Sequence, residues 1–219
     1  MPQNIYQQTL TGPYRHFHVG VASAAKRLGV TDRDPYIIDL CSNNGTAMPV
    51  LAGIYPEASV LCVDQDADAL AKVDGAGMRV ETLCMDANDF LRSCSGRKVD
   101  LIICIAGLHE INDHTRQMLY LTSEFFPAVA NMLRPDGLLL IGDYYYPPFL
   151  GDGEVNAYIE ALRERMGHGD ERRKFIDPQD LIAAATKYSC GMELVTSDVQ
   201  YEPESDLRYV YTQVYRPSI

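Results

Sequence analysis

The sequence predicts an α/β protein with a seven-stranded, mostly parallel sheet, an antiparallel C-terminal hairpin and helices on both faces of the sheet. Apolar segments of strand length alternate with helical segments between residues 36 and 142. The central strand segments are continuously apolar, as is typical of parallel strands that are buried on both faces. Two further strand segments, joined by a short loop that contains Pro203, favour the hairpin.

Residues 1–34 are predicted to form a helical lid over the remaining domain, residues 35–219. Apolar residues recur there at helical spacing, and Gly29 provides a stop signal. An aromatic stretch with two histidines, from Tyr14 to His18, comes before them. The apolar positions are Val19, Val21, Ala22, Ala25 and Leu28.

Five strands and four helical segments follow in alternation. The strands are expected at 36–40, 60–64, 79–84, 99–105 and 137–142. The helical segments are expected at 46–55, 66–73, 87–93 and about 113–133. Pro49 stands near the start of the first helix, where its missing N–H leaves no hydrogen bond unmade. This order predicts right-handed crossovers in an open parallel sheet.

The C-terminal third departs from this alternation. A polar insertion at about 149–176 contains one expected helix, at about 153–166. Asp177 is a helix N-cap followed by proline at the first helical position, so a second helix is expected to about 188. The hairpin strands are expected at Met192–Val199 and Leu207–Tyr215, at the edge of the sheet.

Composition excludes several classes of function. The chain has 219 residues, 47% of them hydrophobic, and a formal net charge of −11, which opposes binding to nucleic acid or anionic membrane. No apolar stretch reaches the length of about 20 residues that spans a bilayer, and the N-terminal sequence lacks a signal-peptide pattern. We therefore expect a cytoplasmic protein that acts on a small molecule.

The six cysteines contain no CxxC pair, so reduced thiols are expected rather than disulfides. The five histidines are not spaced with carboxylates in a way that indicates a metal site.

The stretch from Asp39 to Gly45 carries the strongest functional signal. A strand enters it, a helix leaves it, and the next strand ends in Asp64, 19 residues past Gly45 (64 − 45). The loop can turn beneath a ligand, while a carboxylate at Asp64 can accept hydrogen bonds from both ribose hydroxyls. This unit suits a nucleoside ligand, either a dinucleotide or S-adenosylmethionine.

From residue 36 to about 216, the chain resembles the class I S-adenosylmethionine-dependent methyltransferases, whose fold is Rossmann-like. The family's glycine-rich first motif stands here as Asp39-Leu-Cys-Ser-Asn-Asn-Gly45, in which only the acid and the last glycine match. Asp64, the pair Asp86-Ala87 and the stretch Leu133-Arg-Pro-Asp-Gly137 match later motifs in the family's order. In this family the last strand is antiparallel and lies beside the fifth.

The resemblance implies a set of cofactor contacts. Cys41 and Asn43 replace glycines, and both can supply the turn because cysteine is small and asparagine tolerates left-handed backbone conformations. The dinucleotide alternative requires G-x-G-x-x-G, which is missing from this loop. The residues expected to contact S-adenosylmethionine are Asp39, Cys41, Asn43, Gly45, Asp64, Gln65, Asp86, Ala87 and Ala106.

The acceptor side of the site is predicted from residues that follow strands four and five. His109 stands where the family often carries a histidine beside the transferred methyl group, so it is the candidate base; a packing or helix-capping role is the alternative. Tyr144, Tyr145 and Tyr146 offer flat apolar faces with hydroxyl tips, although packing under the insertion is also open. Tyr14 and His18 of the lid complete the expected acceptor contacts.

The predicted activity is methyl transfer to an oxygen or nitrogen atom of a small molecule. An alternative of another class is a non-catalytic or variant-cofactor module with the same fold. A nicotinamide-dependent oxidoreductase is a third, weaker alternative, since it would not explain the hairpin.

Overall fold

The computed structural model describes residues 17, 20–22, 24, 34–94, 96, 98–146, 151–166, 174–187, 190–201 and 209–218. Its sheet has seven described strands: β1 Tyr36–Leu40, β2 Ser59–Asp64, β3 Arg79–Cys84, β4 Val99–Ile105, β5 Leu133–Tyr145, β6 Met192–Tyr201 and β7 Tyr209–Pro217. Their order is β3-β2-β1-β4-β5-β7-β6, and β7 runs antiparallel to both of its neighbours, β5 and β6. The predicted fold class is confirmed, including the place of the last strand beside the fifth.

Helices cover both faces of the sheet. The described helices are α1 Met48–Ile54, α2 Ala67–Leu70, α3 Ala87–Ser93, α4 Leu108–Ile111, α5 Gln117–Tyr120, α6 Phe126–Met132, α7 Asp152–Met166 and α8 Pro178–Lys187, with a π-helical turn, Leu121–Phe125, between α5 and α6. None of the described helices combines the length and the apolar character that crossing a membrane requires.

Two apolar layers sandwich the sheet, and successive residues of the central strands belong to opposite layers. Ile38 of β1 packs with α3, α6 and α8 on one face, whereas Ile37 packs with α1 and α2 on the other. Ile102 and Leu101 of β4 divide in the same way. Burial on both faces explains why these strands read as continuous apolar runs.

The described part of the predicted lid segment is helical and lies on the α1 face of the sheet. Phe17, Val21 and Ala24 are fully buried. A β-carbon at Gly20 would lie 2.2 Å from Thr212 Cγ2, so the absence of a side chain allows close packing against β7. The domain division and the lid role remain predictions.

Several predicted boundaries change in the structure, including the start of β5 and the start of the long helix before it. β5 begins at Leu133 rather than 137, because Leu133 pairs with Val99 before an irregularity shifts the register and Leu138 pairs with Leu101. The single helix expected at about 113–133 begins at Gln117 and is interrupted by the π-helical turn. The Asp113 carboxylate accepts hydrogen bonds from the Thr115 backbone and hydroxyl, which favours a turn over an earlier helix start.

Candidate active site

A cleft of about 390 Å³ lies at the C-terminal edge of the sheet, where β1 and β4 adjoin. The chain leaves β1 and β4 toward opposite halves of the sheet, which is the usual ligand position in open α/β folds. The residues that line the cleft follow β1 to β4: Cys41, Ser42, Asn43, Thr46, Asp64, Gln65, Asp66, Asp86, Ala87, Ile105, Ala106, Glu110 and Ile111. Seven of the nine predicted cofactor residues are among them, and Asp39 and Gly45 are not.

The loop after β1 turns through three left-handed residues. Cys41, Asn43 and Gly45 have φ values of 56°, 47° and 75°. The two non-glycine residues therefore adopt the backbone that the family's glycines supply, as the sequence predicted. A β-carbon at Gly45 would lie 2.9 Å from Val73 Cγ1, so a larger residue at this position would also clash with Val73.

Replacing both unusual residues tests whether the loop depends on their side chains. The Cys41→Gly/Asn43→Gly variant is expected to bind S-adenosylmethionine within a few-fold of wild type, because glycine adopts these φ values without strain. Its melting temperature is expected to fall, because the unfolded chain gains freedom and Cys41 loses its contact with the Gly107 carbonyl, 3.8 Å from Sγ. Calorimetry and thermal melts measure the two effects. Loss of binding in the folded variant would mean that the side chains contact the cofactor.

The Asp64 carboxylate links the loop that follows β1 to the loop that follows β2. One carboxylate oxygen accepts a hydrogen bond from Asn43 N at 2.8 Å, and the other accepts one from Asp66 N at 2.9 Å. Each carboxylate oxygen has two lone pairs, so both oxygens retain capacity for a ligand hydroxyl. The carboxylate thus fixes the glycine-poor loop and faces the cleft.

Asp86 and Ala87 lie at the start of α3. The Asp86 side chain caps this helix by accepting bonds from Asn88 N and Asp89 N, at 2.9 and 3.1 Å. The capped terminus places both residues in the cleft wall, at the end of β3.

Asp39 lies beneath the cleft rather than in its wall. It is 3% exposed, and burial together with the charge of Asp64 raises the pKa of its carboxyl from 3.8 to about 8. The folded protein therefore binds this proton more tightly than the unfolded chain does, and the free energy of unfolding should fall as pH rises from about 4 to about 8.

The Asp39→Asn variant is expected to remove this part of the pH dependence. Between pH 5 and pH 8.5 the unfolding free energy of wild type should fall by about 2–5 kcal/mol more than that of the variant, because the asparagine has no proton to release. Urea unfolding at both pH values measures the difference. A constant difference between the two proteins would contradict a buried carboxyl that ionises near pH 8.

His109 is held by a buried carboxylate. Its Nδ1 is 2.7 Å from Asp143 Oδ1, and its backbone N–H donates to Asp143 Oδ2 at 3.0 Å. Both residues are buried, and the Phe175 ring stacks on the imidazole at 4.8 Å between centroids. A carboxylate at this distance favours the tautomer with hydrogen on Nδ1, which leaves Nε2 able to accept a proton.

Nε2 of His109 is 3.4 Å from Glu110 Oε1, and Glu110 lines the cleft whereas His109 does not. Asp143 was not predicted as a site residue. Its signal in the sequence is an acid at the end of the fifth strand, where the chain reaches the same edge as His109.

The predicted acceptor tyrosines do not form one surface. Tyr144 packs edge-on against Phe17 at 5.3 Å, Tyr145 lies near Tyr209 and Tyr211, and Tyr146 packs against Phe175. None of the three lines the described cleft. Tyr144 and Tyr145 are neighbours in β5, so their side chains point to opposite faces of the sheet. Tyr14 and His18 lie outside the described residues, so acceptor binding by these five residues remains a prediction.

A second concavity, of about 340 Å³, lies between α3 and α6. It is away from the strand ends, and its lining is largely apolar, with residues such as Leu91, Phe125 and Met132. The carboxylates of Asp64, Asp86 and Glu110 line the first cleft and not this one.

Comparison with known proteins gives a family match over part of the chain. Residues 37–137 match the sequence profile of the family described as Methyltransferase domain. The match covers β1 to β4 and the loops that form the cleft. The chain has the fold of the class I S-adenosylmethionine-dependent methyltransferases, and this segment of it matches a methyltransferase family. S-adenosylmethionine is the cofactor of such methyltransferases, and the cleft offers the loop and the carboxylates that a nucleoside requires.

Solved structures share the methyltransferase fold at low sequence identity. The cyclopropane synthase MmaA2 from Mycobacterium tuberculosis has a TM-score of 0.66 at 12% identity, covering 90% of this chain and 83% of its own. An S-adenosylmethionine-dependent methyltransferase from Clostridium acetobutylicum has a TM-score of 0.62 at 13% identity, covering 94% and 92%.

A third structure, a methyltransferase from Geobacter sulfurreducens in complex with S-adenosyl-L-homocysteine, has a TM-score of 0.60 at 13% identity, covering 94% and 91%. A search of curated proteins by sequence gives no significant match. At these identities the structural likeness establishes the fold alone.

Proposed function

We propose that this methyltransferase binds S-adenosylmethionine in the 390 Å³ cleft and transfers its methyl group to an oxygen or nitrogen atom of a small molecule. The observation that carries the proposal is the Asp64 carboxylate, which fixes the left-handed loop and keeps hydrogen-bonding capacity toward the cleft. The bound cofactor supplies an electrophilic methyl group.

The residues of this chain position the ligand. Asp64 accepts hydrogen bonds from the ribose hydroxyls, the loop at 41–45 lies against the nucleoside, and Asp86 with Ala87 meets the adenine. The sequence predicts a lid at 1–34 and an insertion at about 149–176 that would wall the acceptor pocket. Methyl transfer depends chiefly on proximity and alignment, so these positioning residues account for much of the rate enhancement.

His109 takes up the proton that the acceptor releases. Asp143 holds Nδ1 at 2.7 Å, so Nε2 is the basic atom, and the carboxylate stabilises the imidazolium that forms. The proton reaches Nε2 either directly from the acceptor or through an intervening group. This buried pair favours an enzyme over a non-catalytic module, because cofactor binding alone does not require it.

Calorimetric titration of the purified protein tests the proposal. S-adenosylmethionine and S-adenosylhomocysteine are expected to bind with one site per chain at micromolar dissociation constants, while NAD shows no binding at the same concentrations. Binding of NAD but not of S-adenosylmethionine would support the oxidoreductase alternative. Absence of binding by all three would support a module that has lost the cofactor.

A further inference from the structure

Four carboxylates line the cleft, and one of them differs from the rest in what it contacts. Three accept two backbone N–H bonds each: Asp64 from Asn43 and Asp66, Asp66 from Asp68 and Ala69, and Asp86 from Asn88 and Asp89. Glu110 instead contacts two ionisable side chains. Its Oε1 is 3.4 Å from His109 Nε2, and its Oε2 is 3.6 Å from Lys174 Nζ.

We infer that the acceptor is an amine and that Glu110 is the carboxylate that meets it. The inference rests on the proposed function, since it concerns the acceptor side of the same cleft. Glu110 lines the cleft with a half-exposed side chain, so it can contact a molecule there, whereas the His109 side chain is 8% exposed and lies behind it.

Lys174 shows that the Glu110 carboxylate pairs with an ammonium group. Its ammonium group lies 3.6 Å from the carboxylate, with side chains 30% and 50% exposed for Lys174 and Glu110. An ion pair this exposed contributes about 0–1 kcal/mol, so the ammonium group of a bound amine can displace it.

An anionic acceptor would meet the opposite environment. The residues that line the described cleft include four carboxylates and no lysine or arginine. A carboxylate or phosphate group beside Glu110 would be repelled, because like charges in a confined site cost several kcal/mol. An amine is attracted, and the positive charge that develops on its nitrogen during methyl transfer is stabilised by the Glu110 carboxylate.

The steps balance with groups that the cleft and the proposed cofactor provide. The bound ammonium group first gives one proton to Glu110 Oε1, which passes it to His109 Nε2, and Asp143 stabilises the resulting imidazolium. The freed amine lone pair then forms the nitrogen–carbon bond as the sulfonium–carbon bond breaks, and the electron pair of the broken bond stays on sulfur. The methylated nitrogen leaves as an ammonium group, and the imidazolium returns its proton to solvent.

Three ligands that share one ring and differ in charge test the inference. The protein loaded with S-adenosylhomocysteine is titrated at pH 7.5 with benzylamine, phenol and benzoate. Wild type is expected to bind benzylamine at least about tenfold more tightly than benzoate. Glu110→Gln should abolish this preference, and Lys174→Met should strengthen benzylamine binding by removing the competing ammonium.

Glu124→Gln is the matched control, because it removes the same charge from an ion pair with Arg116 that does not line the cleft. It should behave as wild type. Wild-type protein without a preference for benzylamine, or a Glu110→Gln variant that keeps the preference, would overturn the inference. Failure of S-adenosylhomocysteine to bind would instead contradict the proposed function, so the two failures are distinguishable.

Discussion

Asp64→Ala is expected to weaken S-adenosylmethionine binding by about 10–100-fold. Charge-assisted hydrogen bonds contribute about 1.5–3 kcal/mol each, and the variant loses those to the ribose hydroxyls. It also loses the anchor of the loop at Asn43, whose backbone N–H donates to Asp64 at 2.8 Å. The effect therefore combines lost contacts with a less ordered loop, and calorimetry measures it.

Asp68→Ala is the control for this prediction, because Asp68 is an exposed acid on α2 that does not line the cleft. It should bind the cofactor as wild type does. Asp64→Asn keeps the shape of the side chain and loses its charge, so an intermediate affinity is expected. Unchanged affinity in folded Asp64→Ala would remove the assignment of the ribose site.

His109→Ala is expected to lower turnover by about 10²–10⁴-fold while cofactor affinity stays within a few-fold of wild type, because His109 does not line the cleft. Asp143→Asn should lower turnover in the same direction, because an amide no longer fixes the Nδ1–H tautomer or stabilises the imidazolium. The turnover of each variant is measured as the release of S-adenosylhomocysteine from an accepted substrate, over a range of pH.

A structural role for His109 makes a different prediction. Loss of packing against Phe175 would weaken acceptor binding and leave the shape of the pH profile unchanged, whereas loss of a proton acceptor removes its rising limb. His114→Ala provides the control, since His114 is half-buried and does not line the cleft. A His109→Ala variant with near wild-type turnover and an unshifted profile would end the assignment.

Strand positions could be predicted from the sequence because burial on both faces leaves a continuous apolar run, as in β1 and β4. The π-helical turn at Leu121–Phe125 could not. Its extra residue per turn changes the hydrophobic period only locally, and Pro127 in the next helix is as compatible with a plain helix start. The start of β5 was also misplaced, because the irregularity after Leu133 hides a pairing with Val99.

The cofactor wall could be predicted because parallel strand ends meet at one edge, which brings Asp64 and Asp86 together from separate motifs. The left-handed conformations of Cys41 and Asn43 could be predicted for a different reason. The loop needs that backbone, whichever residue provides it. The partner of His109 was not predicted. Its contact with Asp143 spans 34 residues and depends on the register of β4 against β5, which a single sequence does not reveal.

A crystal structure of the protein with S-adenosylhomocysteine tests the central claim most directly. The account predicts one ligand in the cleft at the ends of β1 to β4, with both ribose hydroxyls on the Asp64 carboxylate, the adenine beside Asp86 and Ala87, and the sulfur facing the Glu110 side of the cleft. A ligand bound elsewhere, or a ribose that does not contact Asp64, would contradict it.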